Sequence, residues 1–111
     1  MSVDTRQQRV AKNEALFRQV NERIEEVNES LGADEPSDFL CECGDENCTA
    51  PVSLTVAEYE AIRSNPTHFV IAHGHEVIDV ERVVEQNERF TVVEKFMGEE
   101  ERIAVETDPR S

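Results

Sequence analysis

The sequence has no tryptophan, one tyrosine and four glycines. With so few of these large side chains a short chain builds only a lean core, and a chain of 111 residues, one domain by default, has little apolar surface to spare. A bound metal would be a useful staple for such a domain. The shortage of glycine argues against a glycine-rich phosphate loop and hence against a nucleotide site. No apolar run is long enough to span a bilayer. None follows the initiator methionine either: the opening MSVDTRQQRVAKNE lacks the apolar stretch of a signal peptide. The expected compartment is therefore the cytoplasm, where thiols stay reduced. Three cysteines is an odd count, whereas a disulfide framework would want an even one.

Basic residues are also scarce. There are 11 against 25 acidic ones, for a net charge of −14. Such a surface repels phosphate backbones and anionic lipid headgroups, which argues against nucleic-acid and membrane partners and for a basic protein partner. The plain alternative is that the acid keeps the protein soluble. The charge is unevenly placed. Residues 1–30 hold five basic and six acidic residues (net −1), and residues 31–111 hold six and 19 (net −13).

Residues 1–31 read as an N-terminal helix. Ser2 or Asp4 can cap it, no Pro or Gly interrupts it, and Gly32 follows as a terminating glycine should. Val3, Val10, Phe17, Ile24 and Leu31 recur every seven residues, with Val20 and Val27 at the intermediate positions of the second half. The matching earlier positions are Arg6 and Asn13, so the stripe is well formed only from Phe17 onward, and the first half should project or fray. Two readings stay open: an amphipathic helix lying on its own domain, or a dimerisation helix pairing a homodimer through residues 10–31.

The polar stretch 32–38 with Pro36 reads as a linker. Phe39-Leu40 begin a short strand, and 49–56 return as another. Thr55 with Glu58 forms a capping box for a helix over about 56–63 that carries Val56, Tyr59 and Ile62 on one face. Residues 68–72 read as a strand followed by a turn at HGHE. Residues 77–86 fit either a strand or a helix, 89–96 a strand after a turn at 86–88, 98–101 a turn, 103–105 a last short strand, and 107–111 a tail.

The chemistry concentrates in Cys41-Glu-Cys43-Gly44 and Cys48. Structural zinc takes four sulfur and imidazole ligands in a tetrahedron. Three thiols within eight residues supply three of them. Gly44 lets the chain turn tightly, and Asp45-Glu46-Asn47 is turn-prone enough to return Cys48 to the same point. The fourth ligand must come from His68, His73 or His75, which are the only imidazoles. His75, following Gly74 in a turn at a strand end, is the first choice, His73 the alternative and His68 the third. The competing readings are three unconnected buried cysteines, or a redox pair at Cys41 and Cys43. Catalysis would need an open metal position and an acid such as Glu42, Glu46 or Glu76, but neither HExxH nor the deaminase pattern is present.

Three stretches taken together, Phe39 to Cys48, Ser53 to Glu60, and Pro66 to Phe69 with Gly74-His75-Glu76, resemble a group of small acidic actinobacterial proteins that share a Cys-Glu-Cys-Gly segment and a later Gly-His-Glu. The resemblance favours His75 over His73 and implies no activity. The expectation is thus an α+β fold: a long N-terminal amphipathic helix, then a small zinc-stabilised β-rich module with one short helix over 39–106. Its function would be that of a non-catalytic protein-interaction module, with a regulatory role open to it, acting through the acidic face and the Phe17–Leu31 stripe. A thiol-based redox or zinc sensor is the runner-up, and a zinc enzyme the third reading.

Overall fold

The computed structural model describes residues 6–32, 35–45, 47–76, 81–95 and 98–110. Helix α1 (Arg6–Ser30) comes first, followed by the antiparallel hairpin β1 (Ser37–Leu40) and β2 (Pro51–Leu54). Helix α2 (Val56–Arg63) leads to a three-stranded antiparallel sheet of β3 (His68–Ile71), β4 (Glu81–Gln86) and β5 (Thr91–Lys95), and α3 (Gly98–Glu106) closes the chain. The strand order is β3-β5-β4, with β5 central. The fold is therefore α+β, with a long first helix and two small sheets. Ser2, Asp4 and Val3 lie outside the described residues, as do positions 77–80; the remainder of the ambiguous 77–86 segment is strand β4.

Local chemistry explains most of these elements. In α2 the Thr55 hydroxyl accepts from the Glu58 amide at 3.1 Å, and the Glu58 carboxylate accepts from the Thr55 amide at 2.9 Å. This reciprocal box meets two amides that the helix leaves unpaired. In the β4–β5 turn, Asn87 Oδ1 accepts from the amides of Arg89 and Phe90. Gly32 adopts φ +68°, the left-handed conformation that ends a helix.

The last short strand expected at 103–105 is instead part of α3, so the module has two short helices rather than one. Ile103-Ala-Val105 has β-branched residues, but the helix-forming Glu-Glu-Glu-Arg run before it carries the helical conformation through. Only Ala104 of the three is fully buried, and Val105 is exposed, so one inward face suffices and a strand's alternation would have no sheet to join.

The core lies between the sheet, the hairpin and α2. Phe39 of β1 stacks on Tyr59 of α2 with ring centroids 4.9 Å apart. Leu54, Val70, Ile71 and Val93 are wholly removed from solvent.

Helix α1 packs on this body, but not through its apolar stripe. Its buried residues are Ala11, Glu14, Ala15, Arg18, Asn21 and Glu25, while Val20, Val27 and Leu31 are exposed and Phe17 and Ile24 sit half-buried at the margin. The inward polar groups have long-range partners. Arg18 donates to the Pro66 and Ala104 carbonyls, both at 2.6 Å, and its guanidinium lies 4.3 Å from the centre of the Phe69 ring. Ala104 O belongs to the last turn of α3, so Arg18 supplies a donor that this helix end lacks. Glu14 pairs at 2.7 Å with Lys95, which also pairs with Glu81. Because of these contacts, the first half of α1 is docked rather than projecting. Val10 also closes against Gly44, where an added Cβ would stand 2.5 Å from Val10 Cγ1.

Candidate metal centre

Two turns build the site. After β1 the chain bends at Gly44, whose φ of +83° is left-handed. Asp45 Oδ1 then accepts from the Asn47 amide at 2.9 Å and Asp45 O from the Cys48 amide at 3.0 Å, folding Cys48 back toward Cys41 and Cys43. After β3, Gly74 at φ +82° and a His75 amide bond to Ala72 O at 3.2 Å turn His75 toward the same point.

The ligand atoms of Cys41, Cys43, Cys48 and His75 all lie within 4.8 Å of one another. His75 Nδ1 is 3.4 Å from Cys41 Sγ and 3.6 Å from Cys48 Sγ, so Nδ1 is the nitrogen turned to the sulfurs. Cys41 and Cys43 are buried, Cys48 is half-buried and His75 is exposed, so the cluster is closed on the protein side and reachable from the other. The Ala72 amide donates to Cys41 Sγ at 3.2 Å, a contact that favours thiolate and steadies its direction.

The electrostatics follow from crowding three sulfurs. Cys41 donates to Cys43, which lowers the Cys43 thiol to about 5. The same contact, followed by burial, pushes the Cys41 thiol above its usual range. Burial raises Cys48 as well. The three thiolates cannot all carry charge together without a cation among them. With one they can, which is what a soft divalent metal supplies. Three sulfurs and one imidazole nitrogen suit such a metal and are poor donors for calcium or magnesium.

The other two histidines lie elsewhere. His73 Nδ1 is 2.8 Å from Thr91 Oγ1 and its Nε2 is 3.2 Å from the Glu88 carbonyl, so it braces the β4–β5 turn. His68 Nε2 faces Glu94 at 3.1 Å. Glu42, considered for acid–base work at an open metal, points the other way. It is fully buried and accepts from Asn21 Nδ2 at 2.7 Å, the Tyr59 hydroxyl at 2.9 Å and the Val70 amide at 3.1 Å. Sitting between two thiols, it fixes the knuckle to α1, α2 and β3. Burial raises its pKa, and the bonds it accepts oppose that rise. The strict turn at Gly44 and the sequence position of Glu42 between two cysteines were the only advance signals of these supporting roles. Glu46 lies outside the described residues.

The Glu42 amide also donates to Val70 O at 2.8 Å. With the Val70 amide bonded to the Glu42 carboxylate, the knuckle covers the side of β3 that β5 does not pair.

No protein-family model, curated protein or solved structure gives a significant match to this chain. Among the described residues, no helix is long and apolar enough to cross a membrane.

Proposed function

We propose that the chain is a zinc-stabilised protein-interaction module in which Cys41, Cys43, Cys48 and His75 hold one structural Zn2+. The observation that carries this reading is the convergence of three thiols and one imidazole nitrogen within 4.8 Å from two turns that are far apart in sequence. Four protein donors complete a tetrahedron and leave no position for a metal-bound water, which is the arrangement of a structural rather than a catalytic zinc. The full engagement of Glu42 with core donors supports the same choice, because it removes the acid nearest in sequence from the metal's chemistry.

Metal analysis of the purified chain should return one zinc per molecule. Cobalt substitution should give thiolate-to-metal charge-transfer bands and tetrahedral d–d absorption, and Cys→Ser changes should weaken both. A strong chelator should lower the melting temperature by many degrees, because the site joins segments that a small core holds poorly. An unchanged melting curve after metal removal overturns the structural reading.

For the interaction itself, the acid of residues 31–111 suits a basic protein surface. Such a complex should weaken steeply with added salt, and a salt-indifferent complex argues against the acidic face as its contact. A second reading, a redox-linked zinc sensor, is favoured by the exposure of His75 and half-exposure of Cys48 on the open side. There, hydrogen peroxide would take two electrons from a pair of thiolates and two protons from solvent, becoming two waters as its O–O bond breaks, a disulfide forms and zinc departs. Zinc retention under mild peroxide excludes it.

A further inference from the structure

Helix α1 turns its polar side inward and leaves an apolar stripe on the opposite side. Leu16 is 55% exposed, Val20 39%, Val27 50% and Leu31 75%. These four share one face at helical spacing, and the Leu31 amide still bonds to Val27 O at 3.1 Å, so Leu31 continues the helical path. Their spacings along the chain are four, seven and four residues. That pattern reads identically from either end, with its centre between Arg23 and Ile24.

We propose that this face pairs with its own copy as an antiparallel, two-fold symmetric helix pair. A two-fold contact brings the same surface together from both molecules, so it demands a self-complementary pattern. Running antiparallel, Leu16 meets the other copy's Leu31 and Val20 meets its Val27, which makes four matched apolar layers across the axis. Arg23 and Glu26 lie beside the stripe near the centre. Within one chain they form an exposed pair at 3.5 Å, with side chains 81% and 67% exposed. Antiparallel pairing sets each Arg23 beside the other copy's Glu26, twice by symmetry.

Charge explains why a second copy takes this face rather than another. Two chains of net charge −14 repel one another over most of their surface. Residues 1–30, with five basic and six acidic residues, are the one long stretch where the balance is nearly even. A basic partner would gain little there and much on the remainder. The inference is separate from the zinc reading and concerns the outward face of α1.

The test uses the metal-loaded full chain in sedimentation equilibrium over a wide concentration range. The mass should rise with concentration from 12.6 kDa towards twice that value. Joint Val20→Glu and Val27→Glu substitution should hold the chain monomeric with its far-ultraviolet circular dichroism unchanged, since both side chains are exposed. Arg23→Glu or Glu26→Arg alone should weaken association about fivefold, and the double reversal should restore it. A photo-crosslinker replacing Leu16 should label residues around 27–31 of the other copy. A monomer at every concentration, a dimer indifferent to the two valine changes, or crosslinks from Leu16 to residues 12–20 each overturn the proposal.

Discussion

At the scale of single residues, two glycines with the same backbone conformation have different environments. Gly44 (φ +83°) would place a Cβ 2.5 Å from Val10 Cγ1 and 2.9 Å from Val10 O, whereas at Gly74 (φ +82°) nothing lies within 4 Å. Both lose left-handed freedom on substitution, which costs about 1–2 kcal/mol. Gly44→Ala must also push α1 away from the knuckle. Thermal melting should therefore show Gly44→Ala costing clearly more than Gly74→Ala, with equal losses counting against the α1 contact. Glu42 is the other telling residue. Its two oxygens receive only donors, so Glu42→Gln turns one acceptor into a donor facing a donor. The expected loss is about 1–3 kcal/mol in denaturant melts despite the near-identical shape. The convergence of Cys41, Cys43, Cys48 and His75 was legible beforehand because thiol and imidazole chemistry is written in residue type. The role of Glu42 was not, because its partners Asn21, Tyr59 and Val70 are scattered along the sequence.

At the scale of elements, α2 was readable to its ends because its cap is local, a Thr55–Glu58 pair three residues apart. The packing of α1 on its own domain was one of the two readings, but its buried face was misread, for the opposite reason. Seven-residue spacing identifies a stripe, but only tertiary partners decide which side is buried. Arg18 needs the Pro66 and Ala104 carbonyls, and Glu14 needs Lys95, before an inward polar face becomes affordable. The same helix brings Glu25 against Glu60 and Arg110, whose guanidinium is 3.0 Å from Glu25 and 2.9 Å from Glu60. Burial, and then the neighbouring Glu60 carboxylate, push Glu25 up to about 8 from its ordinary 4.5. A group that holds its proton more tightly when folded stabilises below its unfolded pKa and loses that contribution as pH rises through the folded value. Between about pH 4.5 and 8 this contribution should fade. Melting temperatures of the metal-loaded chain taken at pH 6 and 9 should differ less in Glu25→Gln than in the parent. An identical pH difference in both would mean that Glu25 titrates normally.

At the scale of the whole molecule, the long helix is attached through buried charged groups as well as apolar ones. Lys95 lies between Glu14 and Glu81, with all three side chains withdrawn from solvent. Burial lowers the Lys95 pKa, but the two carboxylates outweigh it and keep the ammonium charged, while burial raises Glu14. Lys95→Met removes the ammonium that both buried carboxylates face and should cost about 3–5 kcal/mol. Replacing all three residues by Met or Leu should recover most of that loss, since a buried ion group adds little net stability over a well-packed apolar one. Equilibrium unfolding of the single and triple variants decides whether the charges stabilise the docking or only specify it.

The knuckle that covers β3 would give a metal at the proposed site a second consequence. Among the described residues, the backbone amide and carbonyl of Val70 on that side are met only by Glu42, which lies between two of the cysteines. If the cluster holds zinc as proposed, loss of the ion would loosen the segment guarding this margin. The strand beneath is His68-Phe-Val-Ile71, short, apolar and free of proline, the kind of sequence that recruits further strands when its edge is bare. In a cell the chain's exposure to self-assembly would then follow zinc supply, with scarcity acting on its solubility before it acts on any partner.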